Sequence, residues 1–562
     1  MRRYTGDALG RLLRLPPPST EFDVHRGLRV PMRDGIDLIA DHYVPTTPSP
    51  AGTVLVRGPY GRGWPFSALF GAVYAARGYH VLIQSVRGTF GSGGEFTPMI
   101  HEVADGADTV DWLRNQAWFT GSFATVGLSY LGFTQWALLQ DPPPEMKAAV
   151  IAVGPHDLGA SSWGSGSFSL NDFLGWSDLV AHQEDPGRIR ALVRQLRARR
   201  LVAGAANGLP LGEAGRALLG AGAPWYESWL QPPDQNEAFW SAHRLTEALD
   251  RVQIPVLLIG GWQDLFLQQT LAQYQHLRRR RVTVALTVGP WTHTHMMTKS
   301  VPTVARESLD WLETHSPASG RYPQARRRTA ARSPVRIHIN GHGWIDLPDW
   351  PPALPEHVLY LQPAGRLADT EPSATAPASV FTYHPADPTP TVGGRLLSPE
   401  GGYRDDARLG WRADVLTFTG DPLPADLYVV GIPVVELAHS SDNPHNDLFV
   451  RVSEVDAKGC SVNVTDGFRR LTPASGRRSG GSGDSGTVRI DLDAIAHRFR
   501  AGSRIRLLVA GGSHPRFARN LGTDEPPISG RRLVPATHTV HHGDGGTSRL
   551  VLAAGPRPPS GD

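Results

Sequence analysis

A chain of 562 residues is too long for one ordinary hydrophobic core and calls for about two to four domains. Apolar residues at 40% and charged residues at 19% exclude an intrinsically disordered chain, and a formal net charge of +3 gives no basis for a nucleic-acid or membrane partner. The only cysteine, Cys460, excludes an intramolecular disulfide; it stands in an apolar-alternating stretch and is expected in the core.

The N-terminus is basic but has no continuous apolar segment, and no later run is long enough to span a bilayer, so a soluble, cytoplasmic protein is expected. From Phe22 to Tyr43 apolar residues recur at mostly even spacing around a Met32-Arg33-Asp34-Gly35 turn, which predicts a β-hairpin. The run Thr53–Val56, a helix-like segment Ser67–Arg77 and a second run His80–Gln84 then set a strand-helix rhythm. It continues with a helix over Val103–Asn115, whose Ala107, Val110 and Leu113 share a face, with the strand before Ser129, and with Ala148–Val153. This rhythm implies a parallel sheet covered on both faces. The glycines of Gly91–Gly94 fit a loop better than a phosphate cradle, because no G-x-G-x-x-G follows a strand.

Between His156 and about Leu249 the rhythm stops. Ile189, Leu192, Val193 and Leu196 follow helical spacing, and Trp163, Trp176, Trp225, Trp229 and Trp240 are concentrated there, which predicts a helical insertion. Strands return at Ile254–Gly260 and Val282–Val288, with a helix over Gln268–Leu277 between them and another over Ser308–Thr314. The Arg278–Arg281 run, at a helix end, and Arg326–Arg328, in a Pro/Ser/Arg-rich linker over Ser316–Pro334, are expected to be solvated surface. Beyond the linker come short strands with turn signals between them, and a flexible hairpin loop over Gly476–Gly486, which together indicate a β-sandwich.

Three strand ends carry the residues of a nucleophilic site. Ala124–Trp136 reads as strand, abrupt turn and helix around Gly127-Leu128-Ser129, the arrangement that exposes a serine hydroxyl above a sheet. The generic elbow G-x-S-x-G needs glycine at position 131, but here Leu131 stands there and the glycine is Gly132. A serine needs a histidine base, and that base needs a carboxylate to fix its tautomer. Asp264 and His293 follow the next strand ends, in the chain order Ser, Asp, His of the α/β-hydrolase topology. Singly, Asp264 reads as a helix N-cap and His293 as a loop histidine; jointly they predict a catalytic triad with Ser129. His295 is a rival base, farther from its strand end.

The text at these positions resembles the cocaine-esterase-like branch of the X-Pro dipeptidyl-peptidase-related α/β-hydrolases. The matching stretches are R-G-P-Y-G-R (Arg57–Arg62), V-R-G-T-F-G-S-G-G-E-F (Val86–Phe96), D-G-A-D-T-V-D-W-L (Asp105–Leu113), G-L-S-Y-L-G (Gly127–Gly132), G-W-Q-D (Gly261–Asp264), G-P-W-T-H (Gly289–His293) and D-P-T-P-T-V-G-G (Asp387–Gly394). The family's elbow is G-x-S-Y-x-G, which accounts for the shifted glycine. The resemblance implies an α/β-hydrolase domain over 1–155 and 246–325, a helical cap over 156–245 and a C-terminal jelly-roll-like β-sandwich over 326–562. It implies an oxyanion hole formed by the Tyr60 hydroxyl and the Tyr130 backbone N–H. A role in lining the substrate pocket carries over to Trp163, Trp176 and Phe266, with core packing as the competing reading. No cofactor and no metal are implied.

Two departures matter. Ser85 stands where the family usually has aspartate before V-R-G. Members that read a free α-amino group need a carboxylate cluster; the sequence reveals none clearly, with Asp172, Asp178 and Glu184 of the cap as possible contributors. The expected function is a serine carboxylic-ester hydrolase working through an acyl-enzyme on a small-molecule ester or amide. X-Pro dipeptidyl-peptidase or amide-acylase activity is the first alternative, and an acyltransferase or weakly catalytic binding protein in a biosynthetic pathway is the second. Homo-oligomerisation stays open.

Overall fold

The computed structural model describes residues 8–315, 333–473 and 486–558. The linker and its Arg326–Arg328 run, up to residue 332, and the hairpin loop, up to residue 485, lie outside these. The chain divides into two compact units. One comprises Met1–Leu158, Glu237–Gly261 and Gln268–Arg336; the other comprises Gly159–Asn236, Trp262–Leu267 and Ile337–Asp562.

The first unit is built on strands β1 (Phe22–Pro31), β2 (Asp37–Pro45), β3 (Gly52–Gly58), β4 (Tyr79–Ser85), β5 (Phe123–Leu128), β6 (Met146–Ala152), β7 (Val256–Gln263) and β8 (Val284–Thr292), in the spatial order β1-β2-β4-β3-β5-β6-β7-β8. The expected hairpin is β1–β2, antiparallel from Phe22↔Pro45 to Pro31↔Asp37, with a register shift between His25 and Leu28 where Gly27 takes a positive φ of 70°. β3 pairs parallel with β4 and β5, β5 with β6, and β6 with β7. Every residue of β3, β4, β5 and β7 is buried, as a sheet covered on both faces requires. The helices Glu102–Arg114, Tyr130–Leu138 and Leu267–Arg279 fall within a few residues of where the spacing places them, while the helix expected over Ser308–Thr314 begins seven residues earlier, as Val301–His315. The segment expected as a helix after Ser67 is a π-helical turn, Ser67–Ala72, running into an α turn, Val73–Ala75.

The second unit contains the helices Leu170–His182, Arg188–Asn207, Leu211–Leu219 and Tyr226–Trp229, together with the C-terminal strands. Helix Arg188–Asn207 confirms the periodicity read around Leu196, but Leu196 is 77% and Val193 41% exposed. Aromatic rings pack together in this unit: Phe173, Trp176, Trp225 and Trp229 meet with centroids 5.5–6.2 Å apart.

The C-terminal part is a jelly-roll-like β-sandwich. Its long central ladder pairs Asn446–Val455 antiparallel with Ser461–Leu471 and with Arg504–Ala510. A shorter ladder joins Leu427–Gly431 to Ile495–Phe499. Alternate residues, among them Leu448, Val450, Val452, Leu507, Val509, Leu550 and Leu552, fill the core. Cys460 is not in it. It is exposed in the turn between Val455 and Ser461, where its N–H donates to Asp456 Oδ1 at 2.9 Å; the apolar alternation resumes only one residue later.

Candidate active site

β5 ends at Leu128, and Ser129 turns the chain with φ 57° and ψ −122° before helix Tyr130–Leu138 begins. A non-glycine residue in this region is strained, and surrounding bonds hold it there. Ser129 N–H donates to the Ala152 carbonyl at 2.9 Å, and its own carbonyl accepts from Gly132 and Phe133 at 2.8 and 3.0 Å. The glycine positions follow from close approach. A Cβ on Gly127 would lie 2.6 Å from Leu131 Cβ, and one on Gly132 would lie 2.6 Å from Gly154 Cα. Space is therefore short beside positions 127 and 132, so the elbow places its second glycine at 132.

His293 begins a short 3₁₀ turn, His293–Met297, directly after β8. Its Nε2 is hydrogen-bonded to Ser129 Oγ at 2.9 Å, and both residues are buried. With the ring proton on Nδ1, the serine hydroxyl donates to Nε2, the geometry a general base needs. His295 has another task. It closes a capping box, with its N–H donating to Thr292 Oγ1 at 3.4 Å and its Nδ1 accepting from Thr292 N–H at 3.3 Å.

Asp264 follows the end of β7, fully buried, and its Oδ1 accepts from Phe266 N–H at 2.7 Å. The acid expected from the sequence thus also forms the turn into helix Leu267–Arg279.

Tyr60 lies just past β3. Its ring stacks on Phe66 at 5.8 Å and meets the Tyr130 ring edge-on at 6.5 Å. Tyr130 places its N–H at the first position of the helix after Ser129, while its side chain turns into the interior. There its hydroxyl donates to Glu102 Oε1 at 2.9 Å and accepts from Met99 N–H at 2.7 Å. Glu102 Oε2 faces Arg57 Nη2 at 3.2 Å, and Arg57 also donates to Gln84 Oε1 at 2.7 Å and to the Glu102 carbonyl at 3.1 Å. Burial raises the Glu102 pKa, and Arg57 opposes that shift. Sequence reasoning missed this support. The clue was that Arg57 opens one matching stretch and Glu102 stands three residues before another.

Ser85 is buried at the end of β4 and accepts a hydrogen bond from Arg62 Nη1 through Oγ. The carboxylate facing Arg62 comes from Asp41 on β2, at 3.2 Å. The Gly91–Gly94 loop is structural: Ser92 Oγ donates to the Ser85 carbonyl at 2.9 Å and accepts from Ile39 N–H at 2.8 Å.

The three cap carboxylates have different surroundings. Asp172 Oδ1 accepts from Leu397 N–H at 2.7 Å, Asp178 is paired with Arg194, and Glu184 is exposed. Trp163 is buried against Phe168, with centroids 5.4 Å apart, and donates from Nε1 to the Trp229 carbonyl at 2.9 Å. Trp176 is half-buried on Trp225 and Trp229, and Phe266 is buried. Among the described residues no group of three or more His, Cys, Asp or Glu side chains is arranged to hold a metal, and no helix is long and apolar enough to cross a membrane.

Residues 34–295 match the X-Pro dipeptidyl-peptidase (S15 family), and residues 328–551 match the X-Pro dipeptidyl-peptidase C-terminal non-catalytic domain. The chain is 29% identical to the cocaine esterase of Rhodococcus sp. (strain MB1 Bresler), over 94% of this chain and 98% of that protein. Its fold is similar to that of an aminopeptidase from a marine sediment Thaumarchaeota archaeon, with TM-score 0.77 and 22% identity over 96% and 97% of the two chains. An α-amino acid ester hydrolase gives TM-score 0.77 with 21% identity over 95% and 97%. The chain belongs to the cocaine-esterase-like, X-Pro dipeptidyl-peptidase-related family of α/β-hydrolases and is a serine hydrolase, an esterase or a peptidase.

Proposed function

We propose that the protein hydrolyses carboxylic esters of small molecules through an acyl-enzyme formed on Ser129. The observation that carries this reading is the 2.9 Å hydrogen bond between Ser129 Oγ and His293 Nε2, made at a strained serine that heads a helix. His293 removes the hydroxyl proton as Oγ attacks the ester carbonyl, then delivers it to the departing alcohol. Asp264 is the carboxylate that fixes the Nδ1–H tautomer and stabilises the imidazolium. The negative oxygen of the tetrahedral intermediate is received by the Tyr130 N–H and the Tyr60 hydroxyl. Water activated by His293 releases the acid by the same steps in reverse.

Two observations support ester over amino-terminal peptide substrates. A relative with which the chain aligns along nearly its whole length is named an esterase. The cap carboxylates named as possible contributors to a site for a free α-amino group have other surroundings: Asp178 pairs with Arg194, Asp172 accepts from the Leu397 N–H, and Glu184 is on the surface. The half-buried face of Trp176, with Trp163 and Phe266, supplies aromatic surface for the acyl group. Kinetics on p-nitrophenyl esters beside X-Pro p-nitroanilides test this reading. A higher kcat/KM on the esters is expected, and efficient turnover of the anilides alone would overturn it. Fluorophosphonate labelling at Ser129 separates both from a binding protein.

A further inference from the structure

The loop after β7 carries the proposed triad acid, yet residues Trp262–Leu267 pack with the second unit, which also holds the C-terminal sandwich. The bonds that tie it there lie on either side of Asp264. Trp262 Nε1 donates to the His338 carbonyl at 2.7 Å, and Gln263 Nε2 donates to the Val464 carbonyl at 3.0 Å. On the other side, the Leu265 carbonyl accepts from Arg395 Nη1 at 3.4 Å. Arg395 directly follows the two glycines of the D-P-T-P-T-V-G-G stretch, a motif to which the triad chemistry assigns no role.

Arg395 is itself held by buried charge. Its Nε pairs with Asp493, which also faces Arg516 at 3.3 Å; Arg516 reaches Asp466 at 2.6 Å, and Asp466 takes Arg451 through both oxygens at 2.6 and 3.0 Å. Gly394 makes room for this network, since with φ 81° a Cβ there would lie 2.5 Å from Asp466 Oδ2. A guanidinium fixed by a network of this kind is a rigid donor, unlike a surface arginine that pays rotamer entropy for each bond.

We propose that the C-terminal sandwich takes part in catalysis by positioning Asp264, with Arg395 and the Gln263–Val464 bond as the points of hold next to the acid on either side. This rests on the role of Asp264 proposed above. Arg395 touches neither substrate nor reacting atoms in this account; it is a positioning residue that acts through the aspartate.

The test is a double-mutant cycle in the full-length enzyme with p-nitrophenyl acetate. Arg395→Met leaves Asp493 its partner Arg516, so no carboxylate is orphaned. It should lower kcat by about 10- to 100-fold with KM within about threefold, and the same substitution should change kcat by less than about threefold in an Asp264→Asn background. An equal loss in both backgrounds would overturn the proposal, because a purely structural effect does not depend on the acid. Should Arg395→Met fail to fold, Gln263→Leu takes its place in the cycle with the same expectations. An Asp264→Asn enzyme of undiminished kcat would remove the triad reading and this proposal together. A crippled Asp264→Asn enzyme beside wild-type kcat in Arg395→Met would remove this proposal alone.

Discussion

Tyr130 donates its hydroxyl to Glu102 Oε1 at 2.9 Å, away from the residue it follows, so the two neighbouring tyrosines of the site answer the same substitution differently. In Tyr130→Phe the proposed oxyanion donor, a backbone N–H, survives, but Glu102 and the Met99 N–H lose a buried partner. The expected cost is about 1–3 kcal/mol of stability with kcat changed only a few-fold. In Tyr60→Phe the ring that stacks on Phe66 is kept and only the phenolic donor goes. There kcat should fall by about 10² to 10³, with KM within a few-fold. Paired thermal melts and steady-state kinetics on the two variants check both halves, and a Tyr60→Phe change confined to KM would remove that hydroxyl from catalysis.

Ser129→Ala should leave the fold intact and reduce the chemical step by roughly a millionfold, by comparison with other serine hydrolases. His293→Ala should be similarly inactive. His295→Ala should stay active with a lowered melting temperature, because His295 caps the 3₁₀ turn. Activity in the first two variants, or its loss only in the third, would reassign the base.

The two cap tryptophans are unequal probes of the pocket. Trp163 is buried and hydrogen-bonded to the Trp229 carbonyl, so Trp163→Ala is expected to cost about 3–5 kcal/mol of stability and confuse the readout. Trp176 is half-buried, and Trp176→Ala should raise KM for benzoyl esters more than for acetyl esters, by about 1–3 kcal/mol of lost contact. Equal effects on both esters would assign Trp176 to packing.

Acid should weaken the sandwich through its buried histidines. His538 is fully buried, stacked on Phe381 at 4.5 Å and bonded to His439 at 3.0 Å, and burial pushes its pKa down to about 3. The unfolded ring titrates near 6.5, so between about pH 6.5 and 3 the unfolded chain binds a proton that the fold refuses. The contribution is therefore intact above about pH 6.5 and lost progressively below it. Calorimetric melting at pH 7 and 4.5 should show a fall in Tm that is smaller in His538→Phe, whatever that variant's absolute stability. An unchanged difference would mean other groups dominate.

The residues at the strand ends were legible because a parallel sheet delivers its loops to one edge, so the positions after β5, β7 and β8 could be read in order without knowing a single contact. The glycine shift from 131 to 132 was legible as a pattern, but its cause, the approach of Gly154, was not. What escaped the sequence has long reach. Gln263 meets Val464 across 201 positions and Leu265 meets Arg395 across 130, and no local spacing encodes such pairs. Burial was misread at Cys460, while the helical period before Leu249 was right. Helix Arg188–Asn207 exists, with Leu196 exposed on it, and Cys460 sits in a turn that the alternation skips.

The Arg62 guanidinium reaches Ser85 on β4 and finds its carboxylate in Asp41 on β2, two antiparallel neighbours in the sheet. Positions 85 and 41 are therefore coupled through one guanidinium. Ser85→Asp would put two buried carboxylates on one guanidinium. Ser85→Asp should lower Tm, and adding Asp41→Asn should recover most of the loss, a sign reversal that melting curves of the two variants would reveal.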